Sequence, residues 1–493
     1  MKRPLLAVAA VAAAGLPWLA GCGQFSPERA ASVATGYVSH QLCSAVFVAG
    51  QAPDDFYRDA IAPVGGALAG MFDQVVDRDH GEVRASFAGM AQSRAIYRPP
   101  YGCINATGTS WQGQASTLAS PAGSPGTPPR PAATRPVLPP IAGPDPVRTT
   151  DPALSAALDH AFAEAPQPPF RHTKAVVVVH GGRVIAERYA DGVGVDTPLP
   201  GWSATKSMTS ALLGILVRQG RLDMQAPAPI AAWSDPADPR HAITPDELLR
   251  MTSGLDAGQS LNDVGPFNPA ARLLFVEHDM AAFAAASPLA HPPGTHWNYT
   301  DANTILLSRI VADAVQAAEP SADGQAATLA FVHRELFDKL GMAHAVLEFD
   351  AAGTPVGGSH LWASARDWSR LGLLFLHDGM AGGERILPPG WVDASARETP
   401  GSEDYGYAAG FWSNRGSGAG ARLRIGAGMP ADAFMARGSY GQYVVIVPSQ
   451  DLVITRLGPA WTERSDMDAV ARLTREVIAA VGKGPGGARI AAR

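Results

Sequence analysis

Trp202-Ser203-Ala204-Thr205-Lys206-Ser207-Met208-Thr209 sets a Ser-x-x-Lys pair at the front of an apolar-periodic run, Met208, Leu212, Ile215 and Leu216, which stops at Gly220. The periodicity predicts a helix with Ser203 in its first turn and Gly220 as its C-terminal stop. A spacing of three puts both side chains on one helical face. Ser203 Oγ then sits beside the Lys206 amine and near the positive end of the helix dipole. A serine becomes a nucleophile only beside a base, and a lysine serves as that base only where burial or neighbours lower its pKa. Taken alone, Ser-x-x-Lys equally describes a capping serine and a solvated lysine, so the surrounding chain has to decide.

Two later stretches can converge on this helix. His296-Trp297-Asn298-Tyr299-Thr300-Asp301-Ala302-Asn303 follows Pro292-Pro293-Gly294 and precedes an apolar helix. Tyr299 falls on the loop ahead of that helix, where its phenol either relays a proton or packs as an aromatic. Arg437-Gly438-Ser439-Tyr440-Gly441-Gln442 enters a strand near the C-terminus. Glycine there lets backbone approach a ligand closely, and an N–H from it can pair with the Ser203 N–H as an oxyanion hole.

Around these stretches the main domain begins near Arg148. Asp151-Pro152 reads as an N-cap followed by proline at the first helical position. Ala175–Val179 and Arg183–Tyr189 flank His180-Gly181-Gly182, a hairpin signal that makes the glycines a turn and not an oxyanion loop. From Thr244 to about Gly382 the pattern is mostly helical, with helices over Thr300–Val315, Thr328–Leu340 and Ser364–His377. Gln442–Val447 and Leu452–Leu457 flank Pro448-Ser449-Gln450-Asp451 as a second hairpin, and a final helix ends at Gly482. Strands at both ends around a helical insertion predict an α+β fold: one antiparallel sheet built from both termini, flanked by helices, plus a helical lobe. Active sites commonly lie where two such parts meet. His360, in Gly357-Gly358-Ser359-His360, reads as a solvated loop histidine with a cleft residue as the alternative.

The order Ser-x-x-Lys, then Tyr-x-Asp, then a glycine-bearing strand near the C-terminus resembles the serine β-lactamase and penicillin-recognising family. The chain is most similar there to class C β-lactamases and their esterase and aminohexanoate-dimer hydrolase relatives. Leu248-Leu249-Arg250-Met251-Thr252-Ser253-Gly254-Leu255, Pro293-Gly294-Thr295 and Ala363-Ser364-Ala365-Arg366-Asp367 extend the likeness over about Thr173 to Gly458. The resemblance implies a β-lactamase/transpeptidase-like fold and a serine hydrolase, with Ser203 as nucleophile through an acyl-enzyme and Lys206 and Tyr299 sharing the proton transfers. Two positions depart from the family pattern. Asp301 stands where the family often has asparagine; beside Lys206 its charge favours the ammonium and shifts the base role towards Tyr299, unless Asp301 only caps its helix and Asn303 or Asn298 does the polar work. Ser439-Tyr440-Gly441 stands where the family typically has Lys-Thr-Gly or His-Thr-Gly, so the oxyanion donor falls on Ser439, Gln442 or a neighbour. Strand alternation turns Arg437 away, which leaves no cation there for a substrate carboxylate. Short acyl esters, or small amides, are therefore the expected substrates ahead of cephalosporins. The alternatives are a β-lactamase or D,D-peptidase proper, or a catalytically silent peptidoglycan-binding lipoprotein. Gly-x-Ser-x-Gly is absent around Ser203, which disfavours an α/β-hydrolase, and no cofactor or metal motif occurs.

The remainder is appended at the ends. The chain has 493 residues, 46% hydrophobic and 17% charged, with a net charge of −6 and no basic block, which suits a globular protein and argues against a nucleic-acid partner. Residues 22–106 form a small unit with a helix over Glu28–His40, a strand at Ala45–Ala49 and a hairpin from Val83–Phe87 and Arg94–Tyr97. Residues 107–147, rich in Pro, Gly, Ser and Ala, read as a linker. The hydrolase domain spans 148–482, and 483–493 is a tail. Cys43 and Cys103 in an exported chain favour a disulfide and are too few ligands for zinc. Residues 1–21 read as a signal peptide: Lys2 and Arg3, then an apolar run too short to span a bilayer with certainty, then Leu19-Ala20-Gly21-Cys22. That ending resembles the bacterial lipoprotein box, with cleavage before Cys22, acylation of its thiol and anchoring to a membrane on the periplasmic side. Metabolic labelling with a fatty-acid probe should mark the wild type and be lost in Cys22→Ala; label persisting in the mutant would refute the anchor.

Overall fold

The computed structural model describes residues 26–89, 91–106, 136–261 and 265–482. Cys22, the signal segment, 107–135 and the tail from 483 lie outside them. Helix α1 (Pro27–Cys43) starts with proline at its first position and Glu28 in its first turn, both favourable there. It runs on through a wider turn to Val48. The segment expected as a strand at Ala45–Ala49 is thus largely helical, because Val46 extends the buried stripe of Val38 and Leu42. Strands β1 (Phe72–Asp77), β2 (Glu82–Phe87), β3 (Ala91–Tyr97) and β4 (Cys103–Ala106) make an antiparallel meander in that order, with α1 across it. The expected hairpin is its middle pair. A Cys43–Cys103 disulfide, Cα–Cα 6.1 Å, ties the end of α1 to β4.

In the main domain, helix α2 (Pro152–Phe162) is capped by the Asp151 carboxylate, which accepts from the N–H groups of Ala153 and Leu154. Strands β5 (Ala175–His180) and β6 (Arg183–Tyr189) turn at Gly181-Gly182, both at positive φ. Then come helices α3 (Thr205–Arg218), α4 (Pro269–Phe275), α5 (Asp301–Ala318) and α6 (Ala365–Leu376). Strands β7 (Trp412–Ser413), β8 (Phe434–Gly438), β9 (Gln442–Val447) and β10 (Leu452–Leu457) and helix α7 (Met467–Val481) close the fold. One six-stranded antiparallel sheet runs β7-β8-β9-β10-β5-β6, so both ends of the domain meet in it. This is the α+β, β-lactamase/transpeptidase-like architecture. Its central strands are mostly apolar because both faces are covered. Val177, Val444 and Val453 face the core shared with α3, α5 and α6; Val178, Val445 and Ile454 face α2 and α7. Among the described residues no helix is long and apolar enough to cross a membrane.

The stretch read as a linker ends earlier than expected. Leu138 and Ile141 are buried in the main core. The Arg366 guanidinium donates to the carbonyls of Gly143 and Asp145 while paired with Glu187, so 136–147 is laid onto the domain.

The N-terminal unit is docked on the domain through Glu348. Its Oε1 accepts from the Ser44 hydroxyl (2.7 Å) and the Cys103 N–H (2.8 Å). His40 Nε2 lies 3.3 Å from Oε2, and the His40 and His360 rings stack with centroids 4.3 Å apart. His360 is therefore no solvated loop histidine: it is 2% exposed. Burial pushes the Glu348 carboxyl up to about 8, against the hydrogen bonds from Cys103 and Ser44 and the charge of Arg98. Burial lowers His40 to about 4 and holds His360 well below the usual histidine range. The seam is thus neutral. An acid whose pKa is raised on folding adds stability that is present below its unfolded value of 4.5 and is lost as pH climbs through about 8. His40, lowered from 6.5, acts oppositely and costs stability as pH falls towards 4. Stability measured by urea unfolding should fall between pH 6 and 9 in the wild type and stay flatter in Glu348→Gln. An identical alkaline slope in both would show that Glu348 is not the titrating group.

Candidate active site

Ser203 lies in the single 3₁₀ turn Trp202–Ala204 that leads into α3, and is half-buried. Lys206, one turn on, is 1% exposed. Its ammonium has three partners: Ser203 Oγ at 3.2 Å, Asp301 Oδ1 at 2.5 Å and the Gly358 carbonyl at 2.9 Å. An ammonium has three N–H donors, so this arrangement can satisfy it completely inside the protein. A Cβ on Gly358 would stand 3.0 Å from Asp301 Oδ1, so the loop can come this close as glycine. Asp301 opens α5, where the helix dipole favours its charge. The cap of α5 is Thr300, whose hydroxyl accepts from the Ala302 N–H. Asp301 is thus the lysine's counter-ion. Asn303 is turned to Ser253 and Asn298 to Gly258, away from Lys206.

Tyr299 is 2% exposed and lines the same pocket as Ser203. Lys206 Nζ lies 5.0 Å from the centre of its ring, and Tyr407 and Trp412 enclose the ring's other sides. Burial, then the Asp301 charge, hold the phenol far above its ordinary pKa, outweighing the lowering effects of Ser203 and Arg437. Tyr299 therefore keeps its proton at rest, which runs against the expectation that the base role shifts to it.

The third stretch is split by a hairpin turn. Gly438 ends β8, Gln442 begins β9, and Ser439-Tyr440-Gly441 connect them, with Tyr440 and Gly441 at positive φ. A Cβ on Gly438 would lie 2.0 Å from the Gly201 carbonyl. Only glycine lets this strand end press onto the turn that carries Ser203. Ser439 and Tyr440 line the cleft beside Ser203. Gln442 does not: its backbone is in the ladder, and its buried amide donates to the carbonyls of Ser439, Tyr440 and Gly458 and accepts from the Gly458 N–H. Gly441 instead presents its carbonyl to Arg456 behind the turn.

Arg437 was expected to turn away and does not. Alternation places it on the face of Met435 and Tyr443, and that face opens into the cleft. Its guanidinium lies over Trp412 (5.1 Å) and Tyr443 (5.6 Å) and lines a pocket shared with Ser203, Tyr299 and Ser439. Ser260, from a polar loop that carries no sequence signal, borders the same pocket and accepts from the Asp301 N–H.

The comparison of the chain with protein families decides its kinship: the family described as Beta-lactamase matches residues 159–478. The chain belongs to the beta-lactamase family. It is 25% identical over 310 residues to the 6-aminohexanoate-dimer hydrolase of Paenarthrobacter ureafaciens, covering 59% of this chain and 73% of that one. An uncharacterized protein of Mycobacterium tuberculosis (strain CDC 1551 / Oshkosh) is 29% identical over 307 residues, 52% of this chain and 75% of its own. Among solved structures, "Putative 6-aminohexanoate-dimer hydrolase from Bacillus anthracis" superposes with a TM-score of 0.53 at 20% identity, covering 70% of this chain and 89% of that one, which supports the fold. Members of this family are hydrolases, including esterases, amidases and β-lactamases.

Of the possible metal ligands, His40, Glu348 and His360 bring three atoms within 4.8 Å of one another. The two imidazole rings stack with centroids 4.3 Å apart, and the group reads as the neutral seam described above.

Gln442 braces the turn that presents Ser439. Gln442→Ala should lower stability by at least about 2 kcal/mol, since it strands several buried backbone groups. An unchanged urea midpoint would show that the turn holds itself.

Proposed function

We propose that this beta-lactamase family member is a serine hydrolase that cleaves esters or amides through an acyl-enzyme on Ser203. The observation that carries the reading is the pair of groups gathered at one hydroxyl: Lys206 Nζ 3.2 Å from Ser203 Oγ, and Tyr299 lining the same pocket beside it. Neither is needed there by a binding module.

Lys206 is the better proton acceptor. Across its 2.5 Å contact the lysine can hand a proton to Asp301 and become the neutral amine. The amine takes the Ser203 proton as Oγ attacks the carbonyl carbon. The oxyanion forms between the Ser203 and Ser439 backbone N–H groups, which the close contact of Gly438 with Gly201 brings together. Tyr299, which keeps its proton at rest, passes it to the leaving oxygen or nitrogen as the carbonyl reforms, and the Lys206 ammonium, which lies beside the Tyr299 ring, returns a proton to the tyrosinate directly. The serine proton thus ends on the leaving group. Water then repeats the sequence on the acyl-enzyme and frees the acid.

Ser203→Ala should abolish turnover of p-nitrophenyl butyrate while leaving the unfolding curve in place. Lys206→Ala and Tyr299→Phe should each lower kcat on the order of 10²-fold or more. Residual activity above about a tenth of wild type in Ser203→Ala would move the nucleophile elsewhere.

A further inference from the structure

The N-terminal unit does more than sit on the domain. It forms one wall of a cavity of about 220 Å³ that opens onto Ser203. Val33, Tyr57, Leu68 and Phe72 come from the unit, and Leu274 and Phe275 face them from α4. Most of this lining is apolar. The polar groups gather at the Ser203 end, where Ser260, Asp301, Ser359 and Ser439 stand. At the outer end Val64 and Leu68 line the mouth and are 38% and 40% exposed, with Met71 beside them at 43%. Exposed apolar groups clustered at the mouth of an apolar cavity mark a binding surface, not scattered surface hydrophobes.

On the other side of Ser203 lies the pocket that holds Tyr299, Arg437, Trp412 and Ser465. The leaving atom must take its proton from Tyr299, so the leaving group occupies that side. Tyr299 does not border the apolar cavity. The acyl side of the substrate is therefore left with the apolar cavity.

We propose that this cavity, half of it built by the disulfide-tied N-terminal unit, is an acyl-chain site, and that the substrates are esters or amides of medium- to long-chain fatty acids with a polar leaving group. The inference rests on Ser203 and Tyr299 acting as proposed above. It changes the expected substrate from a short acyl ester to a chain that fills the space between α1 and α4. The guanidinium of Arg437, which donates to the Arg464 carbonyl and among the described residues pairs with no carboxylate, suits a leaving group that bears an anion.

The test uses the mature chain with ethyl and octyl alkylfluorophosphonates, in which Ser203 Oγ bonds to phosphorus, fluoride leaves and the serine proton passes to Lys206. The alkyl chain on phosphorus takes the place of the acyl chain. A buried methylene contributes roughly fourfold, so the octyl reagent should inactivate at least about tenfold faster than the ethyl one. p-Nitrophenyl octanoate should likewise exceed the acetate in kcat/KM. Ala34→Trp fills the cavity from α1 and Ala271→Trp from α4; either should lower the octyl-to-ethyl ratio about tenfold or more. If the ethyl reagent labels Ser203 and the octyl reagent is no faster, the chain site is overturned and the hydrolase reading stands. If neither labels Ser203, the hydrolase reading falls and the chain site with it. A ratio left unchanged by both folded tryptophan variants also overturns the proposal.

Discussion

A lysine buried to 1% exposure has to find acceptors for its ammonium or lose its charge, and this constraint organises the centre of the molecule. Lys206 is met by the turn before α3, by the first residue of α5 and by the Gly357–Gly358 loop. These three pieces belong to distant parts of the chain, so meeting the ammonium fixes the helical lobe against the sheet domain. The nucleophile is one of the three acceptors. Its position therefore follows from the same contacts that make the buried charge tolerable. Removing Asp301, the charged partner, would strand a buried ammonium, which typically costs several kcal/mol, so this site is tied to the folding of the domain.

The same burial divides the proton work. Tyr299 is shut in by Trp412, Tyr407 and the Lys206 ammonium over its ring, and burial disfavours its ionised form. The Asp301 charge reinforces this. A carboxylate that supports the lysine thus opposes the tyrosinate, and the two candidates for the base separate into an acceptor and a donor. Arg437 tempers the opposition from the far side of the ring. Its position follows from β8 ending where the sheet face that carries Met435 and Tyr443 becomes the cleft wall.

Features set by local spacing were legible in the sequence. Ser203 and Lys206 are one turn apart on a periodic run, the Gly181-Gly182 turn lies between two apolar strands, and the β9–β10 hairpin has its polar loop. Features set by what packs against what were not. Ala45–Val48 carries strand-forming residues, yet α1 continues through them because Val46 falls on the buried stripe of Val38 and Leu42. His360 carried no sign of burial, since its cover is His40 from more than three hundred residues away. Alternation along β8 sets Arg437 on the Met435 and Tyr443 face, and spacing alone does not show that this face opens into the cleft where the strand ends beside Ser203. Gln442 has the residue type of a ligand contact, but its long amide instead bonds the carbonyls of Tyr440 and Gly458 behind the turn.

The N-terminal unit shows how an appendage becomes part of a site. Four short strands and one long helix bury little core of their own; the Cys43–Cys103 bond closes the unit at the end that faces the domain. Glu348 then accepts from Ser44 and Cys103, the neighbour and the member of that bond, so the staple and the docking contact meet at one point. From there α1 runs back over α4, bringing Tyr37 to 5.2 Å from Phe275 and 6.2 Å from Trp202. Trp202 holds φ at +48, a costly backbone for a bulky residue. It is kept there by Tyr37 on one side and Tyr440 on the other. The unit therefore reaches the nucleophile's own turn through one aromatic contact, and the walls it adds to the cleft are held at a distance set by the neutral seam at Glu348.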